Sequence, residues 1–535
     1  MKTFEQNPFS TNITIKVPAV LLGIFSSNRV WLLLLLFFWG HTFTKAQTQS
    51  DSIPTGNIAA NYRGHIKAQT HSDSIPTTYR LTLDFPLVDF PFLNQAAQMN
   101  ANRRFNRPAG NDAPVTGTDY RKVYFSKYNS LSMRQLLAVA EDLHGTGYFV
   151  NNLLWDKWIK PTNWRKRLLN RALANITALG PDYLLSYYLP FGNGYAHEEF
   201  HRVPLTVRGV SSFDEFWDKG NYQVTHVKDE DLAYMKARFP AELVRVHTAG
   251  IEAQYLFLRN MQKQNFFYKT RYPNIGLSVL LTNYIVNYAN QTKDKDYDVL
   301  VQDVFNDLPT VESRDFNGDD FTTYTYELFR PNQPYNDRGI APNGVGIARY
   351  LKLSQLTSEE LDYLRKMGRM QYWNFLSPHL LGISSIKVND NLSFNFAARH
   401  FLTSFGYDLG GDLFLKMKDK NILLTWHGYQ NKDHFFPGVD AQLVDLPLKL
   451  SNKTLPLTLR TMLWLQPENQ QFYTDKGRAG GLIYAQLRSP KGKTWQPYLE
   501  VEGKTQGWVA GNPYLDANFT VRAGVSAYFN FKPKK

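Results

Sequence analysis

The sequence predicts an α+β chain in which a mostly helical segment precedes an antiparallel β-barrel of about eight strands. Three observations carry this. Apolar residues recur at helical spacing from about residue 131 to 380. From about residue 383 they alternate at period two. Turn formers such as Lys418-Asp419-Lys420-Asn421, Ser489-Pro490-Lys491-Gly492 and Gly511-Asn512-Pro513 separate the alternating runs.

Composition narrows the class. At 535 residues the chain has room for two or three domains. Aromatics make up 15% and charged residues only 20%, which suits a packed protein with extensive apolar surface and argues against disorder. The formal charge is +13, but apart from Trp164-Arg165-Lys166-Arg167 the basic residues are dispersed, and no nucleic-acid module accompanies them. No nucleic-acid partner is expected; anionic headgroups or solubility account better for the excess. The chain has no cysteine, which removes disulfides, zinc–thiolate sites and thiol catalysis.

In chain order, Trp31–Trp39 reads WLLLLLFFW after a segment carrying Lys2, Lys16 and Arg29, and Thr44-Lys45-Ala46 precedes Gln47. This is the layout of a secretory signal peptide over residues 1–46; the apolar run is about half the ~20 residues a spanning helix needs. KAQTQSDSIPT at 45–55 returns as KAQTHSDSIPT at 67–77, so residues 47–78 are expected to be a mobile linker. Tyr79, Leu81, Leu83 and Phe85 alternate as a strand would, and a further strand is possible over Lys122–Tyr128.

Residues 79–380 form the expected helical domain. Ser132 and Thr357 stand at helix starts, the second with Glu360 in a capping-box pattern. Pro181 fits the first turn of a new helix, and Pro204 is expected to end the helix before it. Pro240 opens a long helix, and another covers about 276–290.

Residues 381–535 form the expected barrel. In its last strand the apolar face is aromatic at both ends (Phe519; Phe529 and Phe531) and small or aliphatic between. About ten tilted residues at ~3.3 Å span roughly 24 Å, close to the ~25 Å apolar band of membrane barrels. The opposite faces carry Asp408, Asp412, Lys416, Arg460, Glu500, Glu502 and Arg522, suited to a polar interior. An exported protein in the outer membrane of a Gram-negative bacterium is expected, with lipid around the barrel and no open pore.

One stretch carries chemistry. His197-Glu198-Glu199-Phe200-His201 is a His-Glu-x-x-His pattern. On a helix, His197 and His201 share a face one turn apart and can hold one Zn²⁺, with Glu198 beside them as general base. A zinc site needs a third protein ligand. Glu252 is the preferred candidate, because Ala249, Gly250 and Ala253 would let its helix pack close to the histidines; His247 is the second candidate. Here the chain resembles the gluzincin metallopeptidases, in which a Glu on a later helix completes His-Glu-x-x-His. The resemblance covers His197, Glu198, His201 and Glu252. It implies a zincin-like domain that hydrolyses peptide or protein substrates, with Glu198 catalytic and the other three binding zinc. The alternative is a non-enzymatic outer-membrane binding or assembly protein, with a structural metal or none. Asp315-Phe316-Asn317-Gly318-Asp319-Asp320 has Asp, Asn and Asp at alternate positions, like the start of a calcium loop, but lacks the Gly and the Glu spacing of one. A solvated turn is the expectation there.

Overall fold

A computed structural model describes residues 67–69, 79–105, 130–214, 223–268, 273–293, 297–299, 310–311, 313–490 and 494–531. The expected signal peptide, most of the linker and the possible strand at Lys122–Tyr128 lie outside them. Helices and sheet belong to one compact unit, Gly64–Lys535.

Among the described residues the sheet has eleven strands and is antiparallel throughout. Two come from the N-terminal part: β1 (Lys67–Gln69) and β2 (Tyr79–Phe90). A two-stranded ribbon, β3 (Phe213–Asp214) with β4 (Val224–Thr225), stands apart. The other nine strands follow one another as a meander, one more than the sequence implied: β5 (Ser385–Asn389), β6 (Leu392–Thr403), β7 (Gly406–Met417), β8 (Lys420–Gln430), β9 (Phe435–Leu450), β10 (Lys453–Pro467), β11 (Gly477–Arg488), β12 (Trp495–Lys504) and β13 (Asn518–Phe531). β2 pairs with β13, and β1 with β5. β1 and β2 are the two edges, and no ladder joins them among the described residues.

Between β2 and β5 lie the helices: α1 (Phe92–Phe105), α2 (Met133–Trp158), α3 (Trp164–Tyr187), α4 (Asn193–Val207), α5 (Asp229–Arg238), α6 (Pro240–Phe267), α7 (Ile275–Asn290), α8 (Asp320–Phe329) and α9 (Ser358–Met370). Ser132 and Gln135 close a capping box on α2, as Thr357 and Glu360 do on α9. Two prolines act differently from expectation. Pro181 lies inside α3 and Pro204 inside α4. A proline inside a helix costs about 3 kcal/mol, but α3 is fixed across it by tertiary bonds: Asn151 Nδ2 to the Ala174 carbonyl (2.7 Å) on one side, His144 to Asp182 (3.0 Å) on the other. α4 is buried on both sides of Pro204.

α6 organises the interior. Its 28 residues span about 42 Å at 1.5 Å each, and every residue from Glu242 to Leu258 is buried. Near its C-terminal end Arg259 reaches Asp412 (3.1 Å) on β7, and Phe266 and Phe267 pack on Ala397, Phe414, Leu423 and Val444 of the sheet. The sheet face turned toward the helices is polar: Arg399 bonds Asp412 (2.9 Å), Arg460 bonds Asp440 (2.9 Å), and Arg522 bonds Asp89 (3.0 Å). A cavity of about 160 Å³ lies there, lined by Arg134, Arg259, Lys263, Arg460, Glu500 and Arg522 among others.

The opposite face is apolar and exposed, with Leu424, Trp426, Val439, Leu463, Ile483, Leu499 and Phe519 on it. Among the exposed positions of β2 and β5–β13 the charged residues are Arg80, Lys420, Lys449, Lys453 and Arg478, each within two residues of a strand end. This inverts the usual arrangement of a water-soluble sheet.

Candidate metal centre

The centre sits where α4, α6 and the start of α8 meet. α4 presents His197 and His201 on one face, and their rings lie 5.0 Å apart. That face packs on α6 at Gly250. A Cβ built on Gly250 would lie 2.2 Å from His201 Nε2 and 2.5 Å from His197 Nε2, so any side chain there would displace both imidazoles. The small residues noted in the sequence mark this contact.

The third group is Asp320, the first residue of α8. Its Oδ2 lies 3.2 Å from His197 Nε2 and 3.4 Å from His201 Nε2. One ligand atom from each of the three residues lies within 4.8 Å of the others, all three are buried, and the group could hold a metal ion. Apart from the imidazole contacts, Asp320 Oδ2 is a buried oxygen with no hydrogen-bond partner.

The supporting contacts orient these atoms. His201 Nδ1 is 2.5 Å from the Val246 carbonyl. A carbonyl only accepts, so Nδ1 carries a proton, which leaves Nε2 as the nitrogen that faces Asp320 and could ligate a metal ion. Asn317 donates to Asp320 Oδ1 (2.6 Å) and also faces His247 Nδ1 (3.3 Å), while His247 stacks on Phe316. Tyr288 packs against His197, and its hydroxyl accepts from the Asp320 backbone N–H (3.4 Å). Burial raises the Tyr288 hydroxyl well above its usual range, so it stays protonated.

The electrostatics match a cation site. Burial alone would raise Asp320, yet the two imidazoles hold its carboxyl well below the usual range. Burial lowers His197; it would lower His201 too, but the Asp320 carboxylate outweighs it and raises that ring. Asp315 is pushed up to about 7 by burial and then by the charge of Asp320. Glu198 is pushed well above the usual carboxylate range by burial, then by the charges of Asp315, Asp214 and Asp320. Carboxyl groups that burial and like charge hold protonated are relieved by a nearby cation.

Of the four residues singled out in the sequence, His197 and His201 meet here; Glu198 follows His197 on α4, and the charge of Asp320 is among the causes that raise its carboxyl. Glu252 does not join them. Its carboxylate, fully buried, accepts from Arg245 Nη2 (2.9 and 3.2 Å) and from the Gly511 backbone N–H (2.7 Å). His247 is outside the group as well; burial pushes its ring down to about 3, and it acts on Asp320 through Asn317. The segment Asp315–Asp320, expected as a solvated turn, is instead packed inside: Phe316 and Asn317 are buried, and Gly318 takes a left-handed turn (φ 81°) against Tyr350. Asp319 then caps α8 by accepting from Phe321 and Thr322 N–H, each 3.0 Å. A cap residue followed by an acid at the first helical position was the available signal for Asp320. No protein-family model, curated protein or solved structure matches the chain.

Proposed function

We propose that the chain is a zinc-dependent hydrolase of peptide bonds, anchored in an outer membrane by its sheet. The carrying observation is the convergence of His197, His201 and Asp320 beside Glu198. Tetrahedral zinc with ligands at about 2.0–2.1 Å requires ligand atoms roughly 3.3 Å apart. The two imidazole–carboxylate distances, 3.2 and 3.4 Å, suit that ion. With an aspartate as third ligand, the likeness to gluzincins rests on the His-Glu-x-x-His helix alone.

Zinc held there would polarise a substrate carbonyl and acidify a water molecule. The chain's own residues do the remainder. Glu198 takes the proton of the attacking water and returns it to the departing amine. His201 is held in one tautomer by Val246, and Asp320 is held by Asn317. The protonated Tyr288 hydroxyl borders the group.

The membrane reading rests on the exposed apolar sheet face with charges confined to strand ends. In this reading the sheet closes as a barrel around α6, and lipid surrounds it. Three of the four turns at one rim are two residues long, Asp390-Asn391, Lys418-Asp419 and Ser451-Asn452, and the fourth spans 489–494. At the other rim the connections are Ser404-Phe405 and the longer 431–434, 468–476 and 505–517, and the chain leaves β2 for the helices there. Short turns of such barrels face the periplasm, so on that rule the metal centre faces outward and meets peptides outside the cell.

Glu198→Gln is expected to keep stoichiometric zinc by elemental analysis while peptide cleavage by the zinc-loaded protein falls by about 10²–10⁴. Undiminished cleavage by the variant would remove Glu198 from the chemistry. Absence of cleavage in the parent, with zinc bound, would favour the non-enzymatic alternative.

A further inference from the structure

α3, like α2 beside it with exposed Val150 and Leu154, shows apolar side chains to the outside. Beyond Arg167 its exposed positions include Leu168, Leu169, Ile176 and Leu184, and Tyr188 and Leu189 follow directly. From 168 to 189 the only charged residues are Arg171 and Asp182, and both are buried. Arg171 donates to the Gly382 carbonyl (2.7 Å), and Asp182 takes His144 (3.0 Å) and Asn274 (2.8 Å). A soluble amphipathic helix turns its apolar stripe inward and its charges outward. α3 does the reverse. No described helix is long and apolar enough to cross a membrane, and α3 is apolar to the outside on one face only.

The surroundings continue this face in two directions. α2, to which α3 is bonded, runs along the free edge of β2: Gln135 donates to the Pro86 carbonyl (3.1 Å), Asp142 accepts the Asp84 backbone N–H (2.7 Å), and Phe149 packs on Phe531 (5.1 Å). Phe531 pairs with Tyr79, so α2 descends β2 toward the rim with the two-residue turns. At the turn from α2 to α3, Trp158 (66% exposed) and Trp164 (46%) stand among the exposed cations Lys157, Lys160, Arg165 and Lys166. Indole rings and cations together suit the level of lipid phosphates. The outwardly uncharged stretch of α3 from 168 to 187 spans about 30 Å at 1.5 Å per residue, comparable with a ~30 Å hydrocarbon core.

We propose that this face of α3 contacts bilayer acyl chains, with the α2–α3 turn at the headgroups, and so extends the lipid-facing wall past the edge of β2. The proposal rests on the reading that the sheet lies in a bilayer. Helices then seal the seam that no strand ladder closes among the described residues.

The chain has no cysteine, so single cysteines can carry spin labels without a background. Leu168→Cys, Ile176→Cys and Leu184→Cys test α3; Ile483→Cys and Leu499→Cys are the sheet references, and Asp362→Cys on α9 is the water reference. The full-length protein is placed in vesicles of phosphatidylethanolamine and phosphatidylglycerol, and collisions with oxygen and with a water-soluble nickel chelate are compared. The expected oxygen-to-nickel ratio at the α3 positions equals that at the sheet positions and exceeds that at Asp362 several-fold. Lipid-like sheet positions with water-like α3 positions overturn this inference and leave the membrane reading standing. Water-like values at the sheet positions overturn both. Shielding of α3 from both reagents means that protein covers the face, which also overturns the inference.

Discussion

Asp320→Asn is expected to purify without stoichiometric zinc and to bind the added ion at least about 10²-fold more weakly, judging from losses that even outer-shell changes produce. Glu252→Gln is expected to retain zinc. The pair separates the ligand set that the sequence points to, with Glu252, from the one that the fold brings together, with Asp320. Asp320 Oδ2 is a buried oxygen without a hydrogen-bond partner, aimed at two imidazole nitrogens, whereas both oxygens of Glu252 are already bonded to Arg245. Titration calorimetry with zinc on the metal-free proteins reads the difference. Zinc retained by Asp320→Asn and lost by Glu252→Gln would reverse the assignment.

The second large effect concerns stability. Glu252 and Arg245 are both fully buried, and Arg245 Nε and Nη1 have no hydrogen-bond partner. Removing the carboxylate leaves a cation in the interior with only the Val509 carbonyl (3.3 Å) on its bonded nitrogen. Breaking a buried pair from one side costs about 3–5 kcal/mol, whereas replacing both partners by apolar residues is often neutral. Glu252→Gln is therefore expected to lower stability by that amount, and Arg245→Met with Glu252→Leu to recover most of it. Urea unfolding of the refolded protein in detergent measures both. A loss below about 1 kcal/mol in the single variant would mean that water or a rearranged side chain relieves the cation.

Local features were legible in the sequence. His197 and His201 need only one helical turn to share a face; Ser132 and Thr357 need only the residue three positions on; the strands after 383 need only their own alternation. Features set by tertiary contact were not. Small residues around Glu252 announced a close helix contact, and that contact exists, but at Gly250. Two residues further along a helix is a rotation of about 200°, which turns Glu252 away from the histidines. Asp320 approaches from a segment far downstream, so no spacing links it to His201. Pro181 and Pro204 read as helix boundaries because their cost is local, while the packing that offsets it is not. The strand at 79–90 could be recognised, but not its partner at the other end of the chain.

That last pairing governs the order of assembly. Arg522 meets Asp89 across 433 positions. Closing a flexible loop of that size costs about 4 kcal/mol more than closing a four-residue turn, from the logarithmic dependence on length. The cost shrinks once the intervening chain has folded and brought its ends together. The route of least resistance is therefore to form the helices and the β5–β13 meander first and to dock β2 on β13 last, after residue 518 has emerged. α6, already lodged against the sheet, would by then have fixed the metal centre. Pulsed hydrogen exchange during refolding should find the β2 amides protected after those of α6; protection of β2 first would refute that order.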